Sequence, residues 1–367
     1  MIRSFMSTGL YVQGPGSFDL LGEKAAALGR RAAILCDAAM LDRLQPRIER
    51  SARAGSLAFT CHPVSGEVTP EAINALTEAA ARDMAEVVVA IGGGRAIDTG
   101  KGVALLRGVP FVSVPTVAST DAPASRGIAI YDAQHVPLTV EQLPRNPDCV
   151  LVDTAIIAAA PPRFLRAGIG DALTKHYEVE ACWTGRGHNK HGTRPLRTAR
   201  LIARDCDAVV REQSVAALRA AEAGEVTEAL EDVVEAVILL SCLAFENGGL
   251  SVAHSLARGL SSARGAGNAL HGEQVAYATL VQMRADERPD AELAALRGFL
   301  REVGLPCSLA ELGMHDPGPA DIAALVASCL DSPHLRHHPR RLDAAAIEDA
   351  ILGVEAAAAA HPVGASA

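Results

Sequence analysis

Residues 86–101, EVVVAIGGGRAIDTGK, constrain the fold of this chain more than any other stretch. Residues 87–91 form an apolar, mostly β-branched run of strand length, Gly92-Gly93-Gly94 make a turn no side chain can obstruct, and residues 95–104 have helical periodicity. The pattern predicts strand, glycine turn, helix. Backbone N–H groups at such a turn can approach a phosphate closely, and the following helix adds partial positive charge at the same place. A pyrophosphate-bearing cofactor fits that geometry, and so does a tight strand-to-helix connection with no ligand. GGGxxxD matches neither the dinucleotide fingerprint GxGxxG nor the P-loop GxxxxGK[ST].

Strand and helix patterns alternate through the first half. Strands are expected over 32–36, 57–63, 87–91, 111–114, 128–131 and 149–152, with helices over 19–28 and 70–81 among them. Alternation of this kind implies a largely parallel sheet with helices on its faces and ligands beyond the carboxyl ends of its strands. Three features fall at such ends. Asp37 follows the first strand, where a carboxylate can accept ribose hydroxyls and repel a 2′-phosphate, or simply cap the helix beginning near Ala38. The glycine turn is the second. The third is PTVASTDAP, residues 115–123, rich in hydroxyls with Asp121 as its one acid, a composition ordinary loops share.

A length of 367 residues suggests two domains. The character changes near residue 155. Beyond Pro161-Pro162 come alanine-rich helical segments over 163–183, 194–222, 227–260, 273–286, 290–303 and 343–359, without a clear strand. The expected division is therefore an α/β domain over 1–160 and an all-helical domain over 161–367, with the terminal PVGASA fraying. With 49% hydrophobic residues, 21% charged residues and a formal net charge of -9, the chain argues against a nucleic-acid groove or an anionic membrane partner and favours small-molecule chemistry. No signal-peptide core and no run of 18 apolar residues is present, so the expected location is the cytoplasm. Eight cysteines are scattered singly, without a CxxC pair, and read as reduced core residues.

In the helical half, Asp171, His254 and His271 have the side chains of a metal site. Taken one at a time, each has another reading: a first-turn acid, a helix-face histidine and a cap. Their spacing matches no local metal motif.

The stretches IGGGRAIDTGK, PTVASTDAPAS, NPDCVLVD, GIGDAL, FENGGLSVAHS and ALHGEQVAY resemble, in sequence and in order, the glycerol dehydrogenases of the iron-containing alcohol dehydrogenase and dehydroquinate synthase-like superfamily. The likeness runs from about residue 18 to the last helix. It implies a Rossmann-like α/β N-terminal domain and an all-α C-terminal domain, with NAD and metal meeting in the cleft between. It implies a divalent ion, typically zinc, with iron or another divalent ion as alternatives, on Asp171, His254 and His271. Asp37 would hold the adenosine ribose, and Gly93, Gly94, Arg95 and Asp98 would lie at the pyrophosphate turn. Thr116, Ser119, Ser125, Gly127 and Tyr131 fall at cofactor-contacting positions, and Asp121, with His254, on the substrate side. Arg95 stands where lysine is expected, and Gly127 replaces a larger apolar residue, so its contact is through backbone.

The resemblance further implies oxidation of glycerol or a related vicinal diol by hydride transfer to NAD, in a homo-oligomer. An ion held by one carboxylate and two imidazoles keeps an open position that lowers the pKa of a bound hydroxyl. Iron-type members place a fourth histidine one helical turn after the acid. Here that position is Lys175, which cannot ligate while charged, and His176 is rotated off the face, so three protein ligands are expected. Two alternatives share the framework. One is a dehydrogenase for hydroxycarboxylates, amino-polyols or ketones, in which Arg126 or Arg258 could receive a carboxylate, and the other a dehydroquinate synthase-like lyase, which would use NAD without net reduction. A non-catalytic NAD-binding module would bind NAD without metal-dependent turnover.

Overall fold

The structure, a computed structural model, describes residues 2–134 and 136–360; the tail expected to fray lies outside them. The chain forms two compact units. One comprises Met6–Leu165 with Arg219–Cys242, and the other Arg166–Leu218 with the chain from Leu243 onward and the first residues up to Phe5.

The first unit carries strands β1 (Leu10–Gln13), β2 (Arg31–Asp37), β3 (Ala58–Val64), β4 (Val87–Gly92), β5 (Phe111–Pro115), β6 (Gly127–Tyr131), β7 (Pro137–Gln142) and β8 (Cys149–Val152). Its helices are α1 (Leu21–Ala26), α2 (Ala38–Ala54), α3 (Pro70–Arg82), α4 (Gly94–Arg107) and α5 (Thr154–Ala158). Six strands make one parallel sheet in the order β1-β8-β5-β4-β2-β3. All six residues of β4 are buried, because both faces of this central strand are covered. Val87, Val89 and Ile91 pack with Phe18, Leu21, Ile34 and Ile48 on one face. Val88 and Ala90 pack with Leu35, Ile73, Ile97 and Phe111 on the other. The chain leaves β2 for the edge strand β3 and returns to β4 on the opposite side of β2. The order therefore reverses between β2 and β4, and Asp37 and the glycine turn lie at the carboxyl ends of those two strands.

Two strands were not expected. β1 is only four residues long and is made a strand by pairing with β8. β7, exposed along its whole length, forms an antiparallel hairpin with β6, so the run over 128–131 belongs to that hairpin and not to the parallel sheet. The helix expected over 19–28 is a 3-10 turn, Ser17–Leu20, leading into α1.

The remaining helices are α6 (Pro162–Thr184), α7 (Arg197–Ala223), α8 (Glu228–Glu235), α9 (Ser241–Gly248), α10 (Val252–Leu260), α11 (His271–Ala285), α12 (Asp290–Glu302), α13 (Pro319–Asp331) and α14 (Ala344–Ala359). The segment 227–260, which reads as one helix, is broken. Thr227 caps α8 through Leu230 N–H at 3.3 Å, a π turn over Ala236–Leu240 leads into α9, and the chain is irregular between Gly248 and Val252. The stretch Arg219–Cys242 packs with the α/β unit because its acid Glu231 is claimed there. Gln13 Nε2 donates to the Glu231 carbonyl at 2.9 Å and to its Oε2 at 2.7 Å, and Thr154 Oγ1 donates to Oε1 at 2.5 Å. The unexpected α13 starts on Pro319, with Asp321 accepting from Gly318 N–H at 2.8 Å. Among the described residues no single helix is long and apolar enough to cross a membrane.

Candidate active site

In the helical unit, α6 and α11 approach until their backbones nearly touch. A Cβ on Gly272 would lie 1.7 Å from the Ala167 carbonyl oxygen, and one on Gly170 would lie 2.4 Å from that of Gly272. The glycines in GIGDAL and LHGE are therefore what sets Asp171 beside His271, the first residue of α11. His254 arrives from α10, which packs along α11. One ligand atom from each of Asp171, His254 and His271 lies within 4.8 Å of the others. His254 Nε2 is 3.5 Å from Asp171 Oδ1, and the two imidazole centroids are 5.4 Å apart.

Glu178, not singled out from the sequence, holds this arrangement. It stands seven residues after Asp171 on α6, two turns along the same face. Its buried carboxylate accepts from His254 Nδ1 at 2.5 Å, His254 N–H at 2.9 Å and Ser251 N–H at 2.8 Å. It thus supplies the anion that the free N–H groups of the first turn of α10 require, and it turns His254 Nε2 toward Asp171. Burial would push the Glu178 carboxyl up, but the His254 ring and these hydrogen bonds outweigh it and hold the group below its usual range. The same pair works in reverse on His254: burial opposes its charge, and Glu178 raises it. His271 is exposed as a residue, yet burial of its ring is the main cause that pushes it down to about 4. It presents a neutral imidazole at neutral pH. One carboxylate and two imidazoles converging in this way suit a divalent ion, so these residues fit the metal their resemblance implies.

Lys175 occupies the i+4 position on α6. Its ammonium donates to Asp171 Oδ1, lies 3.3 Å from His254 Nε2 and is 5.5 Å from the Phe245 ring centroid. His176 points elsewhere, with its ring against Tyr177, and is not part of the three-residue cluster. Burial would raise the Asp171 carboxyl, but the Lys175 charge and the His254 hydrogen bond hold it far below the usual carboxylate range.

In the α/β unit, Gly92 has φ +152, and a Cβ there would meet Ala96 Cβ at 2.7 Å and Asp37 Cβ at 2.9 Å, so only glycine fits. Gly93 caps α4 without a side-chain bond, and a Cβ on Gly94 would meet no atom within 4 Å. Asp37 caps α2, its Oδ1 accepting from Ala39 N–H at 3.0 Å. Arg95 is exposed and pairs with Glu67 at 3.1 Å. Asp98 is buried and braces the unit: Oδ1 accepts from Lys101 Nζ at 2.9 Å and Oδ2 from Ala129 N–H at 3.0 Å. Lys101, unassigned from the sequence although it ends the opening motif, is fully buried and also donates to Ser125 Oγ at 3.4 Å and the Gly127 carbonyl at 2.8 Å. Three expected cofactor positions, Asp98, Ser125 and Gly127, are thus gathered on one ammonium.

Thr116 N–H donates to the Gly92 carbonyl at 3.0 Å beside the turn, and Ser119 is half-buried in the next loop. Tyr131 lies on β6, its N–H donating to the Val68 carbonyl at 2.9 Å, and its hydroxyl is raised by burial and by Asp98 and Glu67. Asp121 is buried. Its Oδ2 accepts from Ser241 Oγ at 3.0 Å, and its carbonyl from Ala124 N–H at 3.1 Å. Ser241, which immediately follows the π turn, carries no sequence signal that would have singled it out.

A two-domain fold of this kind, a Rossmann-like α/β unit and a helical unit bearing an acid and two histidines, defines a class of metal-site dehydrogenases. The chain belongs to the iron-containing alcohol dehydrogenase family and is an enzyme. The family model described as iron-containing alcohol dehydrogenase matches residues 9–154. A glycerol dehydrogenase of Thermotoga maritima is 38% identical over 92% of this chain and 92% of its own length. A glycolaldehyde reductase of Halobacterium salinarum is 35% identical over 96% of this chain and 97% of its own. The crystal structure of a probable glycerol dehydrogenase from Sinorhizobium meliloti superposes with a TM-score of 0.93 at 38% identity, covering 98% of this chain and 100% of that one.

Proposed function

We propose that the enzyme is a divalent-metal-dependent, NAD-linked dehydrogenase that oxidises a secondary hydroxyl of glycerol or a related vicinal diol to the ketone, glycerol giving dihydroxyacetone. The observation that carries this reading is the gathering of Asp171, His254 and His271 with Glu178 locking the orientation of His254. Bound there, a divalent ion, zinc by the donor set, would supply Lewis-acid polarisation of the reacting oxygen. The chain's own residues do the rest. Glu178 keeps the Nε2 lone pair of His254 available. The N–H groups after Gly93 receive the pyrophosphate, with Thr116, Ser119 and Tyr131 as further cofactor contacts. Asp37 accepts the ribose hydroxyls, which favours NAD over NADP. Asp121 accepts the second hydroxyl of a diol, and a site built to bond that hydroxyl discriminates against an alcohol lacking it. The enzyme acts in the cytoplasm as a homo-oligomer.

The test is a metal-replete panel of glycerol, propane-1,2-diol, 2-propanol, a 2-hydroxy acid and, in the reducing direction, glycolaldehyde, with NAD(H) and NADP(H) in parallel, on the wild type and Asp121→Ala. The diols are expected to lead, and Asp121→Ala to narrow their advantage over 2-propanol by lowering kcat/KM on the diols. A loss by one common factor on every substrate removes the reason for naming a polyol. A 2-hydroxy acid that leads the panel and gains from Asp121→Ala establishes the hydroxycarboxylate reading instead.

A further inference from the structure

Lys175 is a cation with 1% side-chain exposure set among the three residues assigned to a divalent cation. Its Nζ is bonded to Asp171 Oδ1 and sits 3.3 Å from His254 Nε2, on two of the three side chains that would hold an ion. An ammonium offers donors and no lone pair, so it cannot join a coordination shell. It also cannot share the Asp171 oxygen at bonding distance with a divalent ion, since cations about 4 Å apart repel strongly even where the effective dielectric is about 20. Yet without Lys175, Asp171, itself 2% exposed, would keep only the two imidazoles as partners, and a buried carboxylate that loses its strongest partner is strongly destabilised. The flexible four-carbon stem lets the charged end leave while its Cα stays fixed on α6.

We propose that Lys175 is a built-in competitor for the ion. It neutralises Asp171 when no ion is bound, is displaced when one enters, and so weakens metal affinity while stabilising the metal-free protein. This inference rests on the metal reading above, and the experiment separates the two. Zinc dissociation constants are measured by competition with a chromophoric chelator for wild type, Lys175→Met and His271→Ala, together with melting temperatures of the chelator-treated and zinc-loaded full-length proteins. Lys175→Met is expected to bind zinc tighter by at least on the order of 10-fold, to melt lower than wild type after chelation, and to show a wider gap between its two melting temperatures.

Zinc bound by Lys175→Met no more tightly than by wild type, while His271→Ala loses it, overturns the competitor and leaves the metal site standing. Zinc bound by none of the three overturns both. A Lys175→Met protein that folds only with zinc is the extreme form of the expected result. If it folds in neither condition, Lys175→Gln is measured in its place, and an unchanged or weaker zinc affinity there overturns the proposal.

Discussion

Replacing Glu178 by glutamine exchanges one oxygen for an NH₂ group at almost unchanged volume, so its effects report on hydrogen bonding and charge and not on packing. Three N–H groups converge on the two Glu178 oxygens: those of Ser251, the His254 backbone and the His254 ring. Glutamine has one acceptor oxygen and brings two donors of its own. If its oxygen stays on the two backbone groups, its NH₂ faces His254 Nδ1, which must then accept. The ring proton moves to Nε2, on the side of Asp171, and the lone pair facing the ion is lost. Loss of such a partner behind a metal-bound histidine typically costs about 10–100-fold in metal affinity, or about 1.4–2.7 kcal/mol. Chelator competition with zinc should return a loss in that range for Glu178→Gln. The chelated protein carries a second signature. Because the folded Glu178 carboxyl is held below the 4.5 of a free glutamate, its contribution to stability is fully present above that pH and is lost as pH falls through the lower folded value. The stability advantage of wild type over Glu178→Gln should therefore shrink below pH ~4.5 in urea titrations. Wild-type zinc affinity in the variant, together with a stability gap that stays constant down to acid pH, would refute the reasoning.

Two further outcomes are expected. Asp37→Ser keeps a side-chain oxygen for the Ala39 N–H and so should change stability by no more than about 0.5 kcal/mol, but it removes the charge; the kcat/KM ratio of NADP to NAD should rise, and an unchanged ratio would leave Asp37 as a helix cap and nothing more. Gly272→Ala drives a methyl onto the Ala167 carbonyl and should cost about 1–3 kcal/mol or more in denaturant unfolding as α6 and α11 separate, with weaker zinc binding, whereas wild-type values for both would show the close approach to be unimportant.

The parallel strands were legible because burial on both faces demands continuous β-branched runs, as in β4 and β8. The short edge strand β1 and the exposed strand β7 carry no such demand, and pairing partners far along the chain make them strands. The proposed metal site was visible only through resemblance, because 171, 254 and 271 are brought together by glycine contacts and a helix break that no local pattern announces. Glu178 had a local signal, the i+7 spacing from Asp171, but an acid two turns along a helix looks the same whether it is solvated or buried under an imidazole. For Asp98 the resemblance implies a place at the pyrophosphate turn, and the structure adds what the sequence does not show: Lys101 three residues on and the Ala129 amide each bond one of its oxygens. The segment Arg219–Cys242 has the same alanine-rich helical pattern as its neighbours, and what groups it with the α/β unit are bonds to residues far along the chain, from Gln13 and Thr154 to Glu231 and from Ser241 to Asp121.

That returning segment has a consequence for how the chain comes into being. A ribosome delivers all eight strands of the α/β unit by residue 152, yet Glu231, which accepts from Thr154, is synthesised 77 residues after that threonine, once α6 and the whole of α7 have been made. Until α8 has emerged, the Gln13 amide and the Thr154 hydroxyl therefore lack the partner they bond in the finished unit. For the same reason no single uninterrupted stretch of the gene encodes this unit, and an exchange of it between relatives must carry two separate pieces across together.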